Sequence, residues 1–208
     1  MKHSFKLGFT LGAYAAVSCL SLALVNSFTS PVIHERELKK EKEGLRIVFN
    51  SAADYVAVKK EDIANAVSIS KVELGSISID GMYQAVDENG ETAGFVAKIS
   101  GPTYDTTTLL LGLDNENRIT GVHILEIKDS PGYGQNAVNP EYKTSKGISF
   151  CDQFKNLLPL ESFERNKDYE ALSRATMTTN GISAMILAGS KVIKSYSDLH
   201  NANLINKE

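Results

Sequence analysis

Residues 107–127, TTLLLGLDNENRITGVHILEI, decide the fold of this chain. Two runs of apolar and β-branched residues, 107–113 and 119–127, flank the polar stretch 114–117. Such runs are typical of β-strands, and a short link rich in Asp and Asn favours a turn between them. This stretch therefore predicts an antiparallel hairpin.

The residues on either side extend this hairpin into a domain. Upstream, 82–86 and 94–99 are strand-like and are joined by the turn DENGE at 87–91, which predicts another hairpin. Downstream, apolar residues recur at spacings of three and four, which predicts a helix with one buried face that covers the sheet. These residues are Ile182, Met185, Ile186, Gly189, Val192, Ile193, Tyr196 and Leu199. The predicted fold class is α+β, an antiparallel sheet with packed helices.

Composition restricts the possible functions. The 208 residues are 42% hydrophobic and 23% charged, which suits a folded chain, and the net charge of −3 provides no cationic field for nucleic acid. The two cysteines cannot hold a four-thiolate iron–sulfur cluster, and there is no C-x-x-C-H segment for haem. The four histidines have no ligand spacing, so no metal is assigned. Redox chemistry would therefore need an organic cofactor.

The N-terminal region predicts one transmembrane helix ahead of the domain. Residues 7–33 contain no charged side chain, and 7–25 alone can cross a bilayer core of about 30 Å. Lys2 and Lys6 precede this run, which favours a cytoplasmic N-terminus and an exported domain. The predicted divisions are a cytoplasmic tail (1–6), the transmembrane helix (7–30), a stalk or linker helix (31–50) and an extracytoplasmic domain (51–208).

Two alternatives for this region are less favoured. A cleaved signal peptide would end in an A-x-A-like site, whereas this run ends in Asn-Ser-Phe-Thr-Ser-Pro at 26–31. The segment at 16–19 weakly resembles a lipoprotein processing site at Cys19, but the chain remains apolar beyond it. With Cys19 in the bilayer and Cys151 outside, no intrachain disulfide is expected.

Two loops have the composition of a ligand site. The first, 129–134 (DSPGYG), follows the strand that ends at Ile127, and its glycines would let the backbone approach a flat ligand. The second, 173–181 (SRATMTTNG), precedes the last helix, which is expected to begin near Gly181. A helix N-terminus stabilises phosphate, although ordinary capping by Thr179 or Asn180 explains the same residues.

Together these features resemble a known family, the FMN-binding G subunit of the Rnf-type electron transport complex. The C subunit of the sodium-translocating NADH:quinone reductase is related to it. The resemblance rests on Leu7-Gly8-Phe9, on Ala23-Leu24-Val25-Asn26 with Pro31, and on the strand at 122–126. DSPGYG stands where the family usually has Glu-Thr-Pro-Gly-Leu-Gly, and Ser173-Arg174-Ala175-Thr176 stands where it has Ser-Gly-Ala-Thr.

The resemblance implies a cofactor, partners and a role. Thr176 would carry FMN through a phosphoester bond made by a separate flavin transferase that uses FAD. The protein would be an electron carrier, not catalytic alone, among the other membrane subunits of a complex that couples ferredoxin/NAD electron transfer to Na⁺ or H⁺ translocation. The cofactor-binding residues implied are Thr176, Ser173, Arg174, Ala175, Thr178, Thr179, Ser130, Pro131, Gly132, Tyr133 and Gly134.

Two departures from the family pattern leave alternatives open. Arg174 replaces a glycine, and Glu170 stands where the transferase recognition sequence usually begins with Asp. Arg174 could block the transferase or need a backbone conformation that glycine adopts more easily, or its guanidinium could pair with the flavin phosphate. The alternatives are a C-type subunit of the quinone reductase and a flavin-free, membrane-anchored assembly or binding module.

Overall fold

A computed structural model describes residues 2–205 of the chain, with side chains described for residues 6–202. It divides the chain into two compact units, residues 1–42 and 43–208. The helices are α1 (Lys2–Val48), α2 (Lys60–Ser70) and α3 (Thr176–Ile205), with short 3₁₀ helices at Gly134–Ala137 and Asp152–Phe154. The strands are β1 (Asp54–Ala57), β2 (Ser78–Val86), β3 (Thr92–Pro102), β4 (Thr106–Asp114) and β5 (Ile119–Ile127).

The first unit is α1 as far as Lys42, with its apolar segment and the charged residues that follow it. Residues Lys6–Val48 form the one helix in the described chain that is long and apolar enough to cross a membrane. The helix continues through Pro31, although a proline removes one backbone hydrogen bond. The change from apolar to charged sequence near residue 31 is therefore not a break in the backbone helix.

The second unit is built on a five-stranded antiparallel sheet in the order β1-β2-β3-β4-β5. Both predicted hairpins are confirmed, as β2–β3 and β4–β5. Alternate side chains of β4 face opposite sides, and both sides are buried: Leu109 and Leu111 join one apolar cluster, and Leu110 joins the other. The α+β class with a long apolar N-terminal helix is confirmed.

Different helices cover the two faces of the sheet. The core on one face includes Ile182 and Ile186 of α3, as the spacing predicts. On the other face lie Leu45 and Val48 at the end of α1. The sequence pattern predicts a stalk over residues 31–50, whereas the structure includes residues from Glu43 onward in the compact second unit.

The last helix begins five residues before its expected start. It starts at Thr176, so Thr179 and Asn180 are within the helix and the expectation that one of them caps it is wrong. Gly181 lies inside the helix at a close contact, where a Cβ atom would lie 2.3 Å from the carbonyl oxygen of Pro102. Tertiary contacts thus hold Thr, Asn and Gly, residues of weak helix propensity, within the helix.

Candidate functional site

A buried carboxylate organises the turn after β5. Asp129 is 1% exposed and accepts hydrogen bonds from the hydroxyl groups of Thr103 (2.6 Å) and Thr178. The backbone N–H groups of Asp105 (2.9 Å) and Tyr104 (3.4 Å) also donate to it. Burial raises the pKa of Asp129, but these four hydrogen bonds outweigh it and lower the pKa below its ordinary value. The carboxylate therefore joins the β3–β4 turn, the turn after β5 and the start of α3.

The glycines of the first loop have separate structural roles. Gly132 has a φ of +77°, a backbone conformation that favours glycine, and the N–H of Tyr133 donates to the carbonyl of Ser130 across the turn (3.3 Å). Gly134 is buried, and a Cβ atom there would lie 2.4 Å from Oδ2 of Asp129. Close packing against Asp129 thus requires glycine at 134.

Thr176 is the first residue of α3 and is exposed. The first hydrogen bond of the helix runs from the N–H of Thr179 to the carbonyl of Ala175 (3.0 Å), so the N–H groups of residues 176–178 have no acceptor within the helix. These groups and the helix dipole favour a negative charge at this end. A phosphate ester on the hydroxyl of Thr176 would therefore be well placed electrostatically.

Arg174 adopts the left-handed backbone conformation. Its φ is +59°, which costs a residue with a Cβ atom roughly 1–2 kcal/mol relative to the ordinary right-handed region. Glycine, which the resembled family has at this position, adopts it readily. Among the described residues, the guanidinium of Arg174 makes no ion pair. The structure thus shows a backbone reason for the family glycine and an unpaired positive charge in this chain.

The two predicted loops line one cavity of about 510 Å³. Its volume is within the range of small-molecule sites, roughly 300–1,000 Å³. The cavity brings the exposed hydroxyl of Thr176 together with the turn around Tyr133, as the resemblance requires. Its lining consists of Tyr104, Ser130, Tyr133, Gly134, Arg174, Ala175, Thr176, Met177 and Thr178.

Four residues of the predicted site do not line the cavity. Pro131 and Gly132 are exposed in the turn, and Ser173 is exposed beside it, with its N–H donating to the hydroxyl of Tyr142 (2.9 Å). Thr179 is fully buried; its hydroxyl donates to the carbonyl of Ala175 and accepts from the N–H of Leu172, both at 3.0 Å. Thr178 lines the cavity, but its hydroxyl is committed to Asp129.

Three residues at the site were not predicted as site residues from the sequence. Tyr104 and Met177 line the cavity, and Asp129 supports it from below the surface. Asp129 and Met177 are within the two loop motifs, but only tertiary structure shows which side chains point inward. Tyr104 belongs to a separate turn, and local sequence contains no signal that brings it to this place.

Glu170 has a structural function near the second loop. Its carboxylate accepts hydrogen bonds from both the hydroxyl and the N–H of Ser145, the latter at 2.9 Å. These bonds hold the pKa of Glu170 below its ordinary value. The main chain of Glu170 pairs with the side-chain amide of Gln153 at 2.7 and 3.1 Å. Glu170 thus fixes the approach to the second loop and does not line the cavity.

Two further titratable side chains, Cys151 and His123, are partly buried. Burial raises the pKa of Cys151 to about 12, so its thiol stays protonated and unreactive. Burial also lowers the pKa of His123, which keeps that imidazole neutral near pH 7. Among the described side chains, those of residues 6–202, no three His, Cys, Asp or Glu are grouped so that they could hold a metal ion.

Comparison with known proteins points in the same direction as the site. The model of the FMN-binding domain family matches residues 103–189, and that of the RnfG N-terminal region matches residues 1–48. The G subunit of the Na⁺-translocating ferredoxin:NAD⁺ oxidoreductase complex of Acetobacterium woodii is 25% identical over 201 residues, which cover 94% of each chain. The G subunit of the ion-translocating oxidoreductase complex of Stutzerimonas stutzeri is 24% identical over 180 residues, which cover 83% of this chain and 73% of the relative.

Among solved structures, the crystal structure of Shewanella oneidensis NqrC superposes with a TM-score of 0.43 and 17% sequence identity. The superposition covers 74% of each chain. The family model of the FMN-binding domain includes both loops of the cavity, from Thr103 to Gly189.

Proposed function

Because the chain belongs to the family of RnfG-type subunits that contain an FMN-binding domain, we propose that Thr176 carries FMN covalently. The linkage is a phosphoester bond between the threonine hydroxyl and the flavin phosphate. The protein then relays electrons within an ion-translocating oxidoreductase complex. One observation carries this proposal: the exposed first residue of α3 and the turn around Tyr133 line the same cavity.

The residues present fit FMN. The cavity has the volume of a small-molecule site, and the start of α3 offers unpaired N–H groups to the phosphate. Ala175 and Gly134 are buried at the cavity wall, where they add little bulk. Ser130 and Tyr133 come from the opposite loop and are available to the rest of the cofactor.

Attachment is a phosphoryl-group transfer to Thr176. The threonine Oγ1 would form a bond to the flavin-side phosphorus of FAD as the bond from that phosphorus to AMP breaks, with AMP as the leaving group and the threonine proton passing to a base of the transferase. A separate flavin transferase supplies the catalytic groups, because the described cavity lining has no acid–base pair of its own. Bound flavin would supply the reversible one- and two-electron redox chemistry that an electron carrier needs.

Arg174 is compatible with this attachment. Its positive charge lines the cavity with Thr176 and has no ion-pair partner in the described chain. A phosphodiester keeps one negative charge, and guanidinium suits phosphate oxygens. We therefore assign the guanidinium of Arg174 to the flavin phosphate. This assignment replaces the alternative in which the bulk of Arg174 excludes the transferase.

The proposed membrane location and partners follow from the N-terminal helix and from the similar proteins. Lys2 and Lys6 ahead of the apolar segment favour a single-pass protein of the inner or plasma membrane with its FMN domain outside the cytoplasm. Its partners are the other membrane subunits of the complex, and the flavin transferase for maturation. The complex couples electron transfer between ferredoxin and NAD to movement of Na⁺ or H⁺.

The test is expression of the full chain with a flavin transferase, followed by intact-mass analysis and flavin fluorescence on a denaturing gel. The wild type should gain one FMN ester and give a fluorescent band, and Thr176→Ala should lose both. Thr106→Ala is the matched control, because Thr106 is an exposed threonine that does not line the cavity. A dark wild-type band at the unmodified mass would contradict the proposal and favour a flavin-free module.

A further inference from the structure

Two exposed aromatic side chains line the cavity from separate turns. Tyr104, in the β3–β4 turn, is 67% exposed, and Tyr133, in the turn after β5, is 50% exposed. In the described part of the chain, neither phenol hydroxyl makes a hydrogen bond and neither ring contacts another aromatic ring. Large aromatic side chains left open inside a cavity are typical of a ligand-binding surface.

The main chain of both tyrosines is held by hydrogen bonds. The N–H of Tyr104 is directed to Asp129, and the N–H of Tyr133 closes the turn onto Ser130. The side chains themselves are not part of this network. The backbone positions of the two tyrosines are thus held while their ring surfaces stay available, and substitution of either ring leaves the supporting hydrogen bonds intact.

The lining residues from the second loop have different chemistry. Thr176 and Arg174 provide the hydroxyl and the positive charge that suit a phosphate. A molecule with an anionic end and a flat aromatic end matches this division, with its charge at α3 and its rings against the tyrosines. FMN is such a molecule.

We propose that Tyr104 and Tyr133 together contact the isoalloxazine ring and are the residues that position it in the cavity. This inference rests on the proposed function. Tyr133 occupies a position where the resembled family usually has Leu, so this contact is a feature of this chain's own residues. Because phenol is an electron donor, a tyrosine in contact with excited flavin passes one electron to it, and the electron then returns. The flavin of the folded protein should consequently be weakly fluorescent.

The experiment compares flavin-loaded, full-length variants in detergent. Tyr104→Phe combined with Tyr133→Phe keeps both rings but removes the donor hydroxyls, so the fluorescence yield of the folded protein should rise several-fold while its fluorescence anisotropy stays high. Tyr104→Ala combined with Tyr133→Ala removes the rings, so the yield should also rise while the anisotropy falls as the isoalloxazine gains motion.

Tyr196→Phe is the control, since Tyr196 lies in α3 about 30 Å along the helix from Thr176 and does not line the cavity. It should leave both yield and anisotropy as in the wild type. Intact mass measures loading of every variant separately. If neither double substitution changed the fluorescence yield or the anisotropy of the loaded protein, the two tyrosines would not position the isoalloxazine ring. That result would leave the proposed flavin linkage in place. Absence of FMN from the wild type would overturn both proposals.

Discussion

The hydroxyl of Thr178 donates a hydrogen bond to Oδ2 of Asp129, which connects the first turn of α3 to the turn after β5. The two loops of the cavity are thus joined by a contact beneath it. Because Asp129 also holds the β3–β4 turn through Thr103 and Asp105, one carboxylate fixes the three segments from which the cavity lining comes.

Substitution of this carboxylate should destabilise the domain. Asp129→Asn offers a single acceptor oxygen to four donors, so we expect the free energy of unfolding to fall by roughly 2–4 kcal/mol. Urea unfolding of the full chain in detergent measures the change. Asp105→Asn is the control: its exposed side chain accepts only from the hydroxyl of Thr106, and the change should stay within about 0.5 kcal/mol. Equal losses in the two variants would contradict this role of Asp129.

Acid should weaken the fold in two steps. Burial lowers the pKa of folded His123, so the unfolded chain takes up that proton first and stability begins to fall as the pH drops below about 6.5. The pKa of folded Asp129 is below 3.8, so its contribution is complete above about pH 4 and is lost as the pH falls through the folded pKa. Thermal melting across this range checks both steps. Asp129→Asn should reduce the lower step and leave the upper one unchanged, while Glu170, whose pKa is also lowered, continues to contribute to the lower step.

Arg174 provides a test of backbone strain. Arg174→Gly should raise the free energy of unfolding by up to about 1 kcal/mol, because glycine adopts a positive φ without the steric cost but loses more entropy on folding. Arg174→Ala removes the same guanidinium but keeps the Cβ atom, so it should bring no such gain. If both variants were equally stable, the strain would not be located in the backbone.

The thiol of Cys151 should resist modification in the folded protein. Its pKa of about 12 leaves almost no thiolate at pH 8. In a Cys19→Ser background, iodoacetamide should label Cys151 slowly in detergent and rapidly after unfolding in urea, with mass spectrometry as the readout. Fast labelling of the native chain would show that this side chain is accessible.

The sheet and the covering helix could be predicted from the sequence because their residue patterns are strong. Leu109, Leu111 and Ile119 belong to long β-branched or apolar runs, and the face of α3 repeats its apolar residues regularly. Short elements lack such patterns: the strand at 54–57 and α2 were missed, since only Ile63 and Ala66 of α2 are buried.

The candidate site was predictable only where motifs were present. The resemblance brought Thr176 and Tyr133 into one site, and the structure places both at the cavity. The close packing of α3 at Gly181 depends on the end of β3, and the inclusion of Tyr104 depends on the path of the chain between β3 and β4. Neither contact has a local sequence signal.

The order of elements along the chain has a consequence for biogenesis. Every strand pairs with its sequence neighbour, so the sheet can assemble progressively as the nascent chain emerges. The element that covers Ile99 and Leu111, however, is α3, which follows all five strands and begins with Thr176. Thr176 therefore reaches its final surroundings only after translation has passed the whole sheet, and the flavin attachment proposed for its hydroxyl would follow synthesis of all five strands.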